Sequence, residues 1–136
     1  MNGLPQDVAD FIVANIDSVG QLEVLLLLFQ NRNKSWGYRS VSAELRTSDM
    51  AAHMTLAHLH QRRLVEANGA SPPEYRFPDG RPDLEAIARA LAQAYQDRRV
   101  TVISSIYSKP ERPTRDPVRL FADSFKLKRN KDDDNG

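Results

Sequence analysis

Six consecutive apolar residues, at positions 24–29, constrain the fold of this chain more than any other feature. Val19 and Leu22 precede them, and Asp17 or Ser18 is suited to cap a helix that begins there. In such a helix the apolar side chains cover nearly every face, which is the pattern of a helix surrounded by other elements. We therefore predict that this helix is the buried centre of the fold.

Weaker helical patterns lie on both sides of this central helix. A short first helix begins near Pro5, and its apolar residues recur at helical spacing: Val8, Phe11, Ile12 and Ile16. Residues 38–40 are predicted as a short edge strand, followed by a brief helix that ends near Thr47. Ser48 is a good N-cap for a longer helix over residues 49–63, with three apolar residues on one face: Ala52, Leu56 and Leu59.

The pattern changes from helix to strand after residue 63. Residues 64–67 and 74–77 alternate as two short strands, and the Asn-Gly-Ala-Ser-Pro-Pro segment between them consists of turn-forming residues. A long helix is predicted from Pro82 to about Ser108, although the β-branched residues 100–103 suit a strand as well. We expect a mainly α fold with a small β-hairpin: a winged helix-turn-helix with a long C-terminal helix.

The chain divides into one domain and two shorter segments. Residues 1–108 form the winged-helix domain, including its N-terminal helix and its long C-terminal helix. Residues 109–127 are predicted as a proline-rich linker with a short amphipathic helix that carries Leu120, Phe121 and Phe125. Residues 128–136 alternate basic, amide and acidic side chains, and we expect this tail to be disordered.

The composition excludes several classes of protein. There is no cysteine, which excludes a disulfide scaffold and a thiolate zinc site and suits a reducing compartment. The apolar run at residues 24–29 is much shorter than the roughly 20 residues that span a bilayer, and the N-terminus lacks the pattern of a signal peptide. We expect a cytoplasmic protein. Its formal net charge of +1 gives no global attraction to a polyanion.

Residues 56–66, Leu-Ala-His-Leu-His-Gln-Arg-Arg-Leu-Val-Glu, resemble the end of the recognition helix and the first wing strand of MarR-like and ArsR-like winged helix-turn-helix regulators. Tyr75-Arg76-Phe77 matches the returning strand, and the resemblance covers about residues 19–77. Where the pattern usually has glycine between helix and strand, this chain has Arg63, so either this residue adopts a left-handed conformation or the turn is built differently. The resemblance implies a dimeric, DNA-binding transcription regulator whose terminal helices form the dimer interface.

On this basis we predict a homodimer that binds double-stranded DNA and regulates transcription, with the helix over residues 49–63 in the major groove. The candidate DNA-binding residues are Arg39, Arg46, His53, Met54, His58, Arg62, Arg63 and Arg76. The homodimer prediction rests on the long helix after Pro82, whose apolar side chains exceed what one small domain covers. That helix packed back on its own domain is the alternative.

A winged-helix protein-interaction module that does not bind DNA is the second hypothesis. Residues 49–61 contain no lysine or arginine, and residues 68–75 contain one acid, Glu74, and no base. The arginines are equally explained as a solvated surface offset by neighbouring acids. In this reading either the charge-poor helix over residues 49–63 or the segment with Leu120, Phe121 and Phe125 binds the partner. The three residues of that segment are the candidate partner-binding residues, which dock into a groove on the domain, on a second copy or on another protein.

The remaining candidate sites are weak. His53 and His60 are seven residues apart, about 10 Å along a helix, and His58 points to another face, so the three histidines do not share a metal ion. The chain has no phosphate-binding glycine loop, nucleophile elbow or paired-carboxylate motif, and we predict neither a cofactor nor an enzymatic activity. Trp36 and Tyr38 are either core residues or an exposed aromatic pair for a partner, and the core is favoured.

Overall fold

The computed structural model describes residues 3–108. In this range the chain forms six helices and two strands: α1 (Gln6–Asn15), α2 (Val19–Gln30), α3 (Tyr38–Leu45), α4 (Asp49–Gln61), β1 (Glu66–Ala67), β2 (Tyr75–Arg76), α5 (Pro82–Asp97) and α6 (Arg99–Tyr107). The predicted mainly helical fold with a small hairpin is confirmed. The linker with its amphipathic helix and the charged tail, at residues 109–136, lie outside the described residues.

The central position predicted for the apolar helix is also confirmed. Leu22, Leu25 and Leu28 of α2 are fully buried, and α2 packs against α3, α4, α5 and β2. At its N-terminus the Ser18 hydroxyl oxygen accepts the Gln21 backbone N–H at 3.1 Å. Most of its apolar side chains are therefore part of the core.

No single helix within residues 3–108 is long and apolar enough to cross a membrane. Helices α1 and α2 reach the required length and hydropathy only when they are taken as a pair, and that pair is bent by 114°.

The short strand predicted at residues 38–40 is wrong, because these residues form the first turn of α3. The extended residue lies earlier: Trp36 makes an antiparallel bridge with Tyr75, with N···O distances of 2.7 and 2.8 Å. Strand β2 is two residues long, and Tyr75 is the residue that pairs with Trp36 on one side and with β1 on the other. Trp36 is 5% exposed and belongs to the core, as the sequence favours.

The hairpin forms where it is predicted, over fewer residues. Glu66 pairs with Arg76 and Ala67 pairs with Tyr75 in antiparallel register. The Asn68 side-chain oxygen accepts the backbone N–H groups of Ala70 at 2.9 Å and Glu74 at 3.0 Å, which closes the loop from inside. Such side-chain to backbone bonds are why asparagine is favoured in turns.

Helix α4 ends with a non-glycine residue, Arg63, in a backbone conformation that glycine usually adopts. Arg63 has φ of 64°, the left-handed conformation, and donates its backbone N–H to His60 O at 2.9 Å. The next N–H, of Leu64, reaches back to Leu59 O at 2.9 Å. This pair of bonds is a Schellman motif, which turns the chain sharply from α4 toward β1. Of the two alternatives for Arg63, the structure has the left-handed conformation.

The single long helix predicted after Pro82 is wrong, because Arg98, with φ of −139° and ψ of 54°, separates α5 from α6. A continuous helix over residues 82–108 would be about 40 Å long and would carry its last apolar residues past the core. The break lets α6 pack on α1, where Val102 and Ile106 are buried. The β-branched residues 100–103 are accordingly helical.

The homodimer stays a prediction, but most of the apolar side chains on which it rests have partners within the chain. The apolar residues that suggested a partner helix are instead buried in the core of the chain itself, where α5 and α6 pack on α1 and α2. They include Leu84, Leu91, Val102 and Ile106, each at most 7% exposed. The large apolar side chains that stay exposed among residues 3–108 are Met50, Met54, Val100 and Tyr107.

Candidate binding surface

One side of α4 faces solvent along its whole length. The opposite side packs into the core through three residues: Ala52, Leu56 and Leu59. On the solvent side Met50, Met54, Ala57 and Gln61 follow one another at intervals of three or four residues, so they form a stripe parallel to the helix axis. We call this stripe the open face of α4.

The open face is apolar and carries no formal charge. Met50 is 66% exposed and Met54 is 62% exposed, and Ala57 and Gln61 are exposed beside them. Helix α4 contains no lysine or arginine, and its one acid, Asp49, lies in the first turn. Methionine is flexible and polarisable, and surfaces that adapt to protein partners use it often. The chemistry of the open face therefore suits apolar contact better than contact with phosphate.

Each of the three histidines of α4 contacts a different neighbour. His53 lies edge-on to Tyr38 with ring centroids 5.5 Å apart, and His60 lies edge-on to Tyr75 at 5.7 Å. His58 Nε2 is 3.7 Å from an Asp17 carboxylate oxygen. Among residues 3–108, no three histidine, aspartate or glutamate side chains are grouped so that they can hold a metal ion. The histidines thus border the open face without forming one site.

The connection from α3 to α4 is fixed by its own hydrogen bonds. Arg46 has φ of 56° and ends α3 in the left-handed conformation, and the Ser48 hydroxyl oxygen caps α4 by accepting the Ala51 N–H at 3.0 Å. The Ser42 hydroxyl is 2.5 Å from Asp49 Oδ1 and donates to it. This bond ties α3 to the first turn of α4, so the two helices present their solvent sides as one unit.

Two of the predicted DNA-contacting arginines are engaged within the chain. Arg62 donates to Ala14 O at 2.9 Å and lies 3.3 Å from Asp17, which joins the end of α4 to the connection between α1 and α2. Arg76 lies 2.9 Å from Asp79. A phosphate would have to compete with these carboxylates for both guanidinium groups.

Three other predicted arginines, Arg39, Arg46 and Arg63, are exposed. Arg39 donates to the Tyr38 hydroxyl at 3.3 Å, and this contact, followed by the nearby Asp49 carboxylate, raises the pKa of Arg39 above its ordinary value. Arg46 and Arg63 occupy the two left-handed positions that follow α3 and α4. None of the three arginines belongs to α4 itself.

A groove lies between α2 and α5. Glu23, Leu26, Leu27 and Gln30 of α2 face Ala92, Tyr95, Gln96 and Arg99, and Leu45 closes the groove at the end of α3. We call this the α2–α5 groove; it encloses about 570 Å³. Inside it the Tyr95 hydroxyl donates to Glu23 Oε2 at 2.9 Å, and burial followed by this hydrogen bond raises the pKa of Tyr95.

The sequence prediction of site residues identified part of the open face. It included Met54 and His53 but omitted Met50 and Gln61, which the spacing of four and seven residues from Met54 would have found. The predicted arginines are spread over α3, the end of α4 and β2 and do not meet at one point. Leu120, Phe121 and Phe125 lie outside the described residues.

Comparison of the chain with protein-family models, with curated proteins and with solved structures gave no match.

Proposed function

We propose that this chain is a winged-helix domain that binds a protein partner through the open face of α4. The observation that carries the proposal is the exposure of Met50 and Met54 on a helix without a lysine or arginine. Two large apolar side chains four residues apart on a solvent face contribute little to folding. Covering them with a partner stabilises the complex by about 1–2 kcal/mol each.

The order of elements supports the winged-helix assignment. Helices α2, α3 and α4 precede the β1–β2 hairpin, α3 and α4 are joined by the short connection at residues 46–48, and Trp36 extends the hairpin by one bridge. In this assignment α4 occupies the position of the recognition helix, and the loop at residues 68–74 is the wing. The position that reads bases in DNA-binding members of such a fold here carries methionines.

The partner best suited to the open face is an amphipathic helix or apolar segment of another protein. Met50, Met54 and Ala57 form a stripe about two turns long, which matches the i, i+4, i+7 anchors of a helix laid alongside it. Arg39 and Arg46 on one side and Asp49 at the first turn provide a charged rim of both signs. Such a rim contributes to orientation and specificity more than to affinity.

Affinity capture with the full chain tests this function. The variant Met50→Lys/Met54→Lys places two charges on the open face without touching the core, so it should lose the partner that the wild-type chain retains from a lysate of its own cells. Val100→Lys is the matched control, since Val100 is also apolar and 77% exposed but lies on α6. Equal loss in both variants, or retention in both, would exclude the open face as the binding surface.

DNA binding is the second candidate function, and the exposed arginines Arg39, Arg46 and Arg63 favour it. If they contact phosphates, binding to mixed-sequence double-stranded DNA should weaken steeply between low and near-physiological salt. Arg39→Glu/Arg46→Glu should then abolish binding while Met50→Lys/Met54→Lys strengthens it. The protein-binding proposal predicts no DNA binding at near-physiological salt for any of these chains.

A further inference from the structure

We propose that the α2–α5 groove is the docking site of residues 118–127 of the same chain, which lie outside the described residues. The proposal is independent of the function assigned to α4, because the groove is formed by other helices. It rests on the shape and chemistry of the groove, on the place where the described chain ends, and on the sequence that follows.

The groove has the form of a trough for an amphipathic segment. Its α2 wall is the stripe Glu23, Leu26, Leu27 and Gln30, and its other wall is the stripe Ala92, Tyr95, Gln96 and Arg99. The α2 residues have the i, i+3, i+4, i+7 spacing of one helix face, so this wall runs along α2 for two turns. The opposite wall consists of one turn of α5, with Ala92, Tyr95 and Gln96, and of Arg99, which begins α6 after the break at Arg98. A segment that lies between them contacts both walls.

The floor of the groove is apolar and incompletely covered. Leu27, Leu45, Ala92 and Tyr95 pack against the core yet remain only partly buried, whereas Leu26 beneath them is 5% exposed. At one end of the groove three polar groups already contact each other, since Glu23 accepts a hydrogen bond from Tyr95 and lies 3.9 Å from Arg99. The rest of the groove therefore gains most from an apolar occupant.

The described chain ends close to this groove. The Tyr107 hydroxyl accepts the Val19 N–H at 3.1 Å, which places the end of α6 beside the start of α2. Arg99, at the other end of α6, is part of the groove wall, and eight residues of helix separate it from Tyr107 by about 12 Å. Residues 109–117 span at most about 30 Å when extended, so residue 118 can return along α6 to the groove.

The sequence that follows supplies the required apolar side chains. Val118, Leu120, Phe121 and Phe125 recur at helical spacing, and Leu127 follows them. Pro110, Pro113 and Pro117 favour an extended connection between residue 108 and the segment. A continuation of α6 as helix would instead carry the segment away from the groove. A segment tethered by so short a linker experiences an effective concentration in the millimolar range, which favours it over a second copy or a separate protein.

Disulfide trapping in the full chain tests the proposal, because the chain has no cysteine of its own. In Gln96→Cys/Ser124→Cys one thiol lies on the groove wall and the other within the docking segment. Ala57→Cys/Ser124→Cys is the control pair, with its first thiol on the open face of α4. Both first positions are exposed, so neither substitution disturbs the core.

Under mild oxidation we expect an intramolecular disulfide to form about tenfold faster in the Gln96 pair than in the Ala57 pair. Adding Phe121→Asp should slow the Gln96 pair about tenfold, because the buried aromatic ring contributes on the order of one tenfold step in affinity. Asn130→Asp adds the same acidic group outside the segment and should leave the rate unchanged.

Three results would overturn the proposal. Equal rates for the two pairs would show that the segment has no preference for the groove, and a faster Ala57 pair would place it on α4. A disulfide-linked dimer whose yield rises with protein concentration would assign the groove to the segment of a second copy. As a second measurement, the methyl NMR signals of Leu27 and Ala92 should shift in Phe121→Asp and not in Asn130→Asp; no difference between the variants would also contradict docking.

Discussion

Helices α2 and α4 are both rich in apolar residues, but they differ in what covers those residues. Leu22, Leu25 and Leu28 of α2 are fully buried, because α3, α4, α5 and β2 pack against this helix. In α4 one side is equally buried, while Met50 and Met54 stay more than 60% exposed. The comparison teaches that apolar content alone does not identify a core helix. Side chains that folding leaves uncovered remain available to a partner.

The largest expected effect is the difference between a substitution in α2 and one in α4 in how far each lowers the free energy of unfolding. Leu25→Ala should lower the free energy of unfolding by about 2–5 kcal/mol, because it leaves a cavity in the centre of the fold. Met54→Ala should change it by less than about 0.5 kcal/mol, since the side chain faces solvent. Urea denaturation of both variants measures the two values. A Met54→Ala variant as unstable as Leu25→Ala would show that the open face is covered within the protein itself.

The ends of the two helices provide a smaller test. Helix α4 ends in a left-handed Arg63, whereas Asn31 after α2 has φ of −129°. A side chain in the left-handed region costs about 1 kcal/mol relative to glycine. Arg63→Gly should therefore stabilise the fold by about that amount, measured by the shift in denaturation midpoint. Ala43→Gly, at an exposed position within α3, is the control and should destabilise the fold by about 1 kcal/mol. A destabilised Arg63→Gly would mean that the Arg63 side chain contributes contacts of its own.

The smallest expected effect concerns the hydrogen bond between Tyr95 and Glu23, a residue of α2. Burial and the hydrogen bond to Glu23 raise the pKa of Tyr95, so the folded chain holds this proton at a higher pH than the unfolded chain. The stability that results is fully present below the unfolded tyrosine pKa of about 10 and is lost as pH rises through the folded value. Tyr95→Phe should therefore show a weaker fall in stability above pH 10 than the wild type. Parallel curves for the two proteins would contradict this assignment.

Much of the fold was predictable from local patterns. The all-round apolar content of α2, the Ser48 cap of α4 and the turn residues after Ala67 each determine an element through interactions within a few residues. The left-handed Arg63 was one of two alternatives for the turn that follows α4, because its position matches that of a glycine in the related pattern.

The features that the sequence did not predict depend on distant partners. Residues 38–40 were misassigned because the extended residue is set by where Tyr75 lies, and this places it at Trp36. The break at Arg98 is decided by the position of α1, on which Val102 and Ile106 pack. The ion pair that engages Arg62 joins residues 45 positions apart, so the sequence alone could not show that this arginine is engaged.

Photocrosslinking in living cells tests the central claim most directly. Met54 is replaced by a benzophenone amino acid in the full chain, and Val100, on α6, is replaced in the same way as the control. The account predicts a covalent protein adduct at position 54 that survives nuclease and is lost with protease, and little adduct at position 100. A nucleic-acid adduct at position 54, or equal protein adducts at both positions, would contradict the claim that the open face of α4 binds a protein.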